Sequence, residues 1–225
     1  MENFNLLDNE EVFLFVGSIF SLLFTSSFLF SFVKVFYGTL NYDDTPIISI
    51  SFCYTNNLIW YFYSDYIFHD LMKLCYLIST IISLSFIILY IKFEYKQDKF
   101  DSILNILLLL GITLVLHKLL TEVFNVEDKA KISCSYSIFF LLLSFFEWIY
   151  KAFKLKTTNN LNIYTGISLL LMSVCYFFYG ITYKELWIIY PHFFGIIIAF
   201  AYIIIFYLLN NKYNNFEEDK AEFCY

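Results

Sequence analysis

Long uncharged runs of apolar residues follow one another along the chain and predict membrane-spanning helices. Each run is close to the roughly 20 residues that a helix needs to cross the hydrocarbon core of a bilayer. Charged and turn residues separate the runs, as at 41–44, 98–101, 127–131 and 159–160. The pattern predicts seven helices, at Val12–Phe36, Pro46–Ser64, Leu71–Phe93, Ser102–Leu120, Ile132–Phe153, Leu161–Tyr183 and Leu186–Leu209.

The composition of the chain also indicates an apolar solvent. Of its 225 residues, 60% are hydrophobic and 15% are charged, whereas soluble domains carry about 25% charged residues. The net charge of -6 lies mostly in two tails, 1–11 and 210–225, which we expect to be solvated and partly disordered. We therefore predict an all-α, integral, multi-pass protein that has the lipid bilayer as a partner.

Nothing in the sequence indicates a nucleic-acid partner, a cofactor or an enzyme. No stripe of basic residues of the kind that binds nucleic acid is present. The five cysteines form no Cys-x-x-Cys pair, and no cluster of His and Cys has the spacing of a zinc site. Because no nucleophile and base are paired in the sequence either, we expect no catalytic residue, no metal and no cofactor.

The distribution of lysines predicts the orientation of the chain, since all fourteen basic residues are lysine. With the N-terminus outside, nine lysines lie in cytoplasmic segments and five lie in outer segments. Positive charge favours the cytoplasmic side of a membrane protein. We therefore expect the N-terminus outside and the C-terminus in the cytoplasm, at the plasma membrane rather than an internal membrane.

An internal repeat relates the first three predicted helices to the last three. Ile59–Ser64 aligns with Cys175–Gly180 at an offset of 116, and the same offset places Tyr76 on His192. We expect Trp60 and Tyr176 to face each other across the repeat axis, and Tyr76 and His192 to do the same about four turns further along the fold. The repeats are 12–93 and 132–209, and the linker helix is 102–120, which gives a 3+1+3 bundle. Because both repeats begin on the same side, they are parallel and related by an axis along the membrane normal.

A set of aromatic and polar residues within the apolar runs predicts a binding cavity near the bilayer midplane. Polar groups are costly in lipid and therefore need partners or a function. An aromatic wall with neutral hydrogen-bonding groups suits a polyhydroxylated solute, since rings cover the C–H faces of a sugar. Ordinary helix packing is the alternative interpretation of the same residues. The candidate binding residues are Asn56, Trp60, Tyr76, Tyr176 and His192, and the candidate helix breaks or close contacts are Pro191 and Gly195.

Glu147 lies one turn before Lys151 near the end of the fifth predicted helix. Residues four apart on a helix are neighbours and can form an ion pair. We interpret Glu147 as half of such a pair rather than as part of a proton relay.

The aromatic motifs resemble those of the SWEET (MtN3/saliva) sugar transporter family. Trp60–Ser64 and Tyr176–Gly180 are similar to a W-x-x-Y-G-like signature of that family, and Pro191–Gly195 is similar to its P-N-G-x-G segment. Lys184 and Glu185 stand where the family has a basic and acidic pair. The resemblance covers the first three and the last three predicted helices.

The resemblance implies a sugar site with two aromatic residues and two asparagines. These positions fall on Trp60, Tyr176, Tyr76 and His192, so both asparagines are replaced. The family also has four hinge prolines, and Pro46 lies three residues from one of those sites. The resemblance further implies self-association into a homo-oligomer. The four proline positions carry Phe28, Ser49, Phe145 and Asn162.

Three functions remain open from the sequence. The first is a bidirectional facilitator, or uniporter, that moves a mono- or disaccharide by alternating access. The second is a related PQ-loop carrier of an amino acid or another small metabolite, although the only glutamine is Gln97 and no Pro-Gln dipeptide exists. The third is a non-transporting seven-helix receptor; a retinal Schiff base is excluded in 186–209, which contains no lysine.

Overall fold

The computed structural model describes most of the predicted spans as helix. The described residues are 9–38, 45–67, 70–95, 126–155 and 161–222, together with 111, 115, 118, 122 and 158. Within these ranges every regular element is an α-helix, which confirms the all-α class. The predicted linker helix at 102–120 falls largely outside the described residues.

The described helices are numbered here in chain order. Five stretches of the described chain are long and apolar enough to cross a membrane: Glu11–Phe36, Asp70–Lys92, Ala130–Lys154, Ile163–Tyr183 and Leu186–Lys212. The helices are α1 (Asn9–Ser26), α2 (Leu29–Phe36), α3 (Ile47–Ile67), α4 (Asp70–Tyr95), α5 (Val126–Leu155), α6 (Ile163–Tyr183) and α7 (Leu186–Glu222).

Helix α3 is not among the five apolar stretches because it carries polar residues on its inner face. Ser49, Ser51, Thr55 and Asn57 are all at most 3% exposed. A polar side chain in a membrane helix normally faces the interior of the bundle. The inner face of α3 is therefore where polar function is concentrated.

The helices contact one another in a pattern with two-fold correspondence. Helix α4 contacts α1 and α3, and α7 contacts α5 and α6 in the same manner. Between these two groups, α1 contacts α6 and α3 contacts α5. We call the latter two contacts the α1–α6 seam and the α3–α5 seam. A cavity between the groups is bounded by these seams.

The outer surface of the bundle is apolar. Side chains that are more than half exposed include Ile81, Ile88, Phe146, Ile204 and Leu208. In water such a surface would be strongly unfavourable, whereas lipid is as apolar as these side chains. This distribution agrees with an integral membrane protein.

Two helix boundaries differ from those predicted by more than three residues. Helix α5 begins at Val126 rather than Ile132, and α7 continues to Glu222 instead of ending at Leu209. The expected disordered tail therefore begins as helix. The hydrophobic pattern marks where a helix leaves the membrane, but residues such as Glu217, Lys220 and Ala221 are good helix formers beyond it.

The predicted helix break at Pro191 is wrong. Pro191 lies inside the continuous helix α7. It is the sixth residue of that helix, so the one main-chain hydrogen bond that it removes would have joined it to the first turn, and the helix continues beyond it. Pro46 directly precedes α3, and its carbonyl accepts a hydrogen bond from Ile50 N at 3.1 Å, so it initiates a helix.

A break occurs instead in the first span, between α1 and α2. Ser27 and Phe28 adopt a turn there. The Ser27 hydroxyl donates to Phe24 O at 2.6 Å and contacts the hydroxyl of Thr165 on α6 at 2.7 Å. Asn162 Nδ2 also donates to Ser27 O at 3.3 Å, so α6 holds the turn in place.

Candidate binding cavity

Four rings from four helices form a closed layer in the middle of the bundle. Trp60 lies 5.8 Å from Tyr76 and 5.5 Å from His192, measured between ring centroids. Tyr176 lies 6.3 Å from Tyr76 and 4.8 Å from His192. Each of the four rings is at most 5% exposed. We call this arrangement the ring layer.

The ring layer accounts for the spacing that the two repeats share, which is sixteen residues from Trp60 to Tyr76 and from Tyr176 to His192. Trp60 and Tyr176 lie diagonally across the layer, as do Tyr76 and His192, because each ring contacts both members of the other pair. We expected the second pair to lie farther along the fold than the first. The structure corrects this, since four helices bring all four rings to one level.

A narrow cavity of about 30 Å³ adjoins the ring layer. Asn56, Trp60, Tyr76, Pro191 and His192 line it, as the sequence predicts, although Pro191 does so from within a continuous helix. Tyr176 stacks behind the wall and does not line it. The remaining lining residues are Ser21, Phe24, Asn57, Ser137, Leu141, Leu169, Met172 and Ser173.

The polar groups on one wall of the cavity are joined in a chain. The indole nitrogen of Trp60 donates to Ser137 Oγ at 2.7 Å. The Ser137 hydroxyl in turn donates to Asn56 Oδ1. Ser137 was not a candidate from the sequence, because a lone serine in a chain rich in serine gives no local signal. Its side chain orients both predicted residues, Trp60 and Asn56.

The opposite wall presents two buried polar atoms that are free to bind. Among the residues that the structure describes, His192 Nε2 and Ser173 Oγ have no hydrogen-bond partner. Their residues are 5% and 1% exposed, respectively. A buried polar group without a partner costs about 1–3 kcal/mol. A hydroxyl of a bound solute would remove that cost at either atom.

Asn57 has a different role from its neighbour Asn56. Its amide donates to Ser83 Oγ at 3.1 Å and to Thr25 Oγ1 at 3.4 Å. These bonds connect α3 to α4 and α1. Asn57 therefore holds the first group of helices together, while Asn56 faces α5.

Gly195 allows α7 to lie against the Ser173 wall, as predicted for a close helix contact. A Cβ at this position would lie 2.4 Å from Ser173 Oγ and 3.2 Å from Ser173 Cβ. Both distances are shorter than ordinary van der Waals contact. The cavity wall therefore leaves no room for a β-carbon at position 195.

We expect Gly195→Ala to lower the melting temperature of the detergent-solubilised protein, since overpacking costs about 1–3 kcal/mol. Adding Ser173→Ala removes the closest atom and should restore part of that stability. Thermal unfolding of both variants measures this. A single variant as stable as the wild type would contradict the close contact.

Hydrogen bonds join the helices at the end of the cavity that holds the ring layer. There Tyr63 donates its hydroxyl to Glu185 Oε1 at 3.3 Å, and the Ser18 and Tyr176 hydroxyls lie 3.1 Å apart. These contacts join α3 to the segment before α7, and α1 to α6. At its other end the cavity continues between α3 and α5.

Comparison with known proteins identifies the fold, and a family to which part of the chain is similar. Residues 130–214 match the MtN3_slv family, described as sugar efflux transporters for intercellular exchange. A solved structure of a eukaryotic SWEET transporter superposes with a TM-score of 0.68 at 18% identity, and covers 89% of this chain and 96% of that chain. No curated protein sequence matches the chain.

The two findings show a SWEET fold for this chain and a sequence similarity to the family over 130–214. The structural match extends the shared fold across both groups of helices. The two positions where the resemblance implies asparagine carry rings here, Tyr76 and His192.

Two of the four positions where the resemblance implies hinge prolines carry groups that bond between helices. Ser49 bonds to Glu147 of α5, and Asn162 caps α6 by accepting from Tyr164 N at 3.1 Å while donating to Ser27 O. Phe28 lies at the turn between α1 and α2. Three of the four positions therefore lie at a helix start or break.

Proposed function

We propose that this protein belongs to the SWEET family and is a uniporter that moves a sugar down its gradient by alternating access. The observation that carries the proposal is the pair of unpartnered atoms, His192 Nε2 and Ser173 Oγ, opposite the chain from Trp60 through Ser137 to Asn56. Aromatic faces and neutral donors and acceptors suit the alternating C–H and O–H groups of a sugar.

The lining of the cavity favours a neutral solute. None of its thirteen residues is an aspartate, glutamate or lysine. A carboxylate or ammonium group of an amino acid would lose its hydration without gaining a countercharge, which is costly. A mono- or disaccharide needs only hydrogen bonds.

Uptake into proteoliposomes tests the proposal. A panel of labelled mono- and disaccharides should contain at least one solute that equilibrates faster than in protein-free liposomes, while a zwitterionic amino acid should not. A uniporter equilibrates its solute without accumulation, even when a pH gradient is imposed. Accumulation driven by the pH gradient would contradict uniport, and uptake of the amino acid alone would favour the carrier alternative.

The architecture that accompanies this function has seven spans in a 3+1+3 order, with repeats 12–93 and 132–209 and the linker helix at 102–120. We propose that the N-terminus is outside, the C-terminus is cytoplasmic, and the protein lies in the plasma membrane as a homo-oligomer. The lysine distribution supports the orientation, and the family resemblance supports self-association.

A topology experiment follows from the orientation. An epitope tag fused after Tyr225 should bind an impermeant antibody only in permeabilised cells, because the proposed topology places the C-terminus in the cytoplasm. The same tag fused before Met1 is the matched control and should bind the antibody in intact cells. A C-terminal tag that binds the antibody in intact cells would contradict the topology.

A further inference from the structure

A carboxylate from α5 caps the N-terminus of α3 across the α3–α5 seam. Glu147 Oε2 accepts hydrogen bonds from both the backbone N and the hydroxyl of Ser49. Ser49 is the third residue of α3, where a backbone N–H has no partner within its own helix. A negative charge is stabilised at this end of a helix. The cap therefore comes from the opposite group of helices.

A lysine completes the bridge. Lys151 Nζ lies 3.3 Å from Glu147 Oε1, so the predicted ion pair is present. The same ammonium donates to Thr45 O, just before α3, at 2.5 Å. The Ser49 hydroxyl also lies 3.2 Å from Ser144 O. We call Thr45, Ser49, Glu147 and Lys151 the charged clamp.

The charged clamp lies at the end of a path that begins in the binding cavity. A second narrow cavity, of about 20 Å³, shares Phe24, Asn56 and Leu141 with the first. It continues along the seam to Ser49 and Ser144. A solute that left the binding cavity in this direction would therefore meet the residues that the clamp holds together.

The opposite seam has a corresponding hydroxyl contact, with Phe30 in the place of Glu147. There the Ser27 and Thr165 hydroxyls contact each other, and Asn162 bonds to Ser27 O. At the offset of 117 that aligns Lys34 with Lys151, Glu147 aligns with Phe30. The repeat thus supplies a hydroxyl contact at each seam, and α5 alone adds an acid to it.

The burial of the clamp indicates a contact with two stable states rather than a surface pair. The Glu147 side chain is 7% exposed and that of Lys151 is 18% exposed. A buried charge that loses its partner is strongly destabilising unless water replaces that partner. Separation of α3 from α5 would admit water to both charges, so the clamp is either closed and dry or open and wet.

We propose that the charged clamp is the gate at this end of the transport path, with Glu147 as the group that holds the start of α3 against α5. Release of Ser49 from Glu147 lets the start of α3 move away from α5 and opens the second cavity to solution. This inference adds a gate to the proposed transport function, and its test requires no solute.

Cys53 provides a native reporter of the open gate. It lines the second cavity between the clamp and the binding cavity, and is 6% exposed. In a background with the other four cysteines replaced by serine, a small membrane-impermeant thiol reagent is applied to intact and to permeabilised cells. The initial rate of Cys53 modification is then measured.

We expect Glu147→Ala to raise the rate of Cys53 modification at least about tenfold, which corresponds to ~1.4 kcal/mol. The rise should occur only when the reagent reaches the side on which α3 begins, which is the cytoplasmic side in the proposed topology. Glu147→Gln retains an acceptor for Ser49 but loses the ion pair, so its rate should rise by a smaller factor.

Glu122→Ala is the matched control. Glu122 also pairs with a lysine four residues away, Lys118 at 3.7 Å, but both side chains are more than 60% exposed. An exposed pair contributes little, so Cys53 modification should remain at the wild-type rate.

Three results would overturn the gate: a wild-type rate in both Glu147 variants, an equal rise from both sides of the membrane, or an equal rise in Glu122→Ala. Where Glu147→Ala does not yield folded protein by size-exclusion chromatography, Glu147→Gln decides. If no sugar in the panel is taken up but Cys53 is modified as expected, the proposed solute is contradicted and the proposed gate is not.

Discussion

His192→Ala is expected to weaken solute binding about tenfold or more. The reason is that Nε2 is buried without a partner among the described residues and lines the cavity. A sugar hydroxyl left without its hydrogen bond in such a site costs about 1–3 kcal/mol, and 1.4 kcal/mol corresponds to a factor of ten in affinity. The half-saturation concentration for uptake measures the change.

His192→Asn separates the hydrogen bond from the ring. Asparagine donates and accepts, as a neutral imidazole does, so this variant should retain substantial transport. Ser173→Ala tests the second free atom and should weaken uptake as well. Ser135→Ala is its control, because this serine is exposed and bonds to Lys131 O within its own helix. Wild-type uptake in His192→Ala would remove His192 from the site.

Trp60→Ala is expected to have the largest effect on stability. Trp60 is 3% exposed and contacts Tyr63, Tyr76 and His192. Truncation of a buried tryptophan costs about 3–5 kcal/mol, because contacts are lost and a space remains. Thermal unfolding in detergent should show a clear loss, and uptake should be lost with it.

Two further variants separate packing from hydrogen bonding at this position. Trp60→Phe retains a ring between Tyr76 and His192 but removes the donor to Ser137, so it should lose less stability than alanine while still weakening uptake. Trp187→Ala is the matched control, since Trp187 is only partly buried and lies outside the ring layer. Equal losses of stability in Trp187→Ala and Trp60→Ala would contradict the central role of the layer.

The amino-acid sequence by itself determined the class of the protein and most members of its ring layer. The length of each apolar run is a local property, so the helices could be predicted from residues adjacent in the chain. The spacing of sixteen residues from Trp60 to Tyr76 and from Tyr176 to His192 was also visible. Because related repeats fold alike, that spacing brought the two pairs of rings to corresponding places.

Only the tertiary structure decided which residues meet across the two groups of helices. Ser137, Ser173 and the Ser49–Glu147 bond depend on how α5 and α6 are rotated against their neighbours, and no periodicity within one helix records that rotation. The break at Ser27 and the unbroken helix at Pro191 have the same origin. Partners on α6 stabilise the turn at Ser27, whereas Pro191 lies too near the start of α7 to interrupt it.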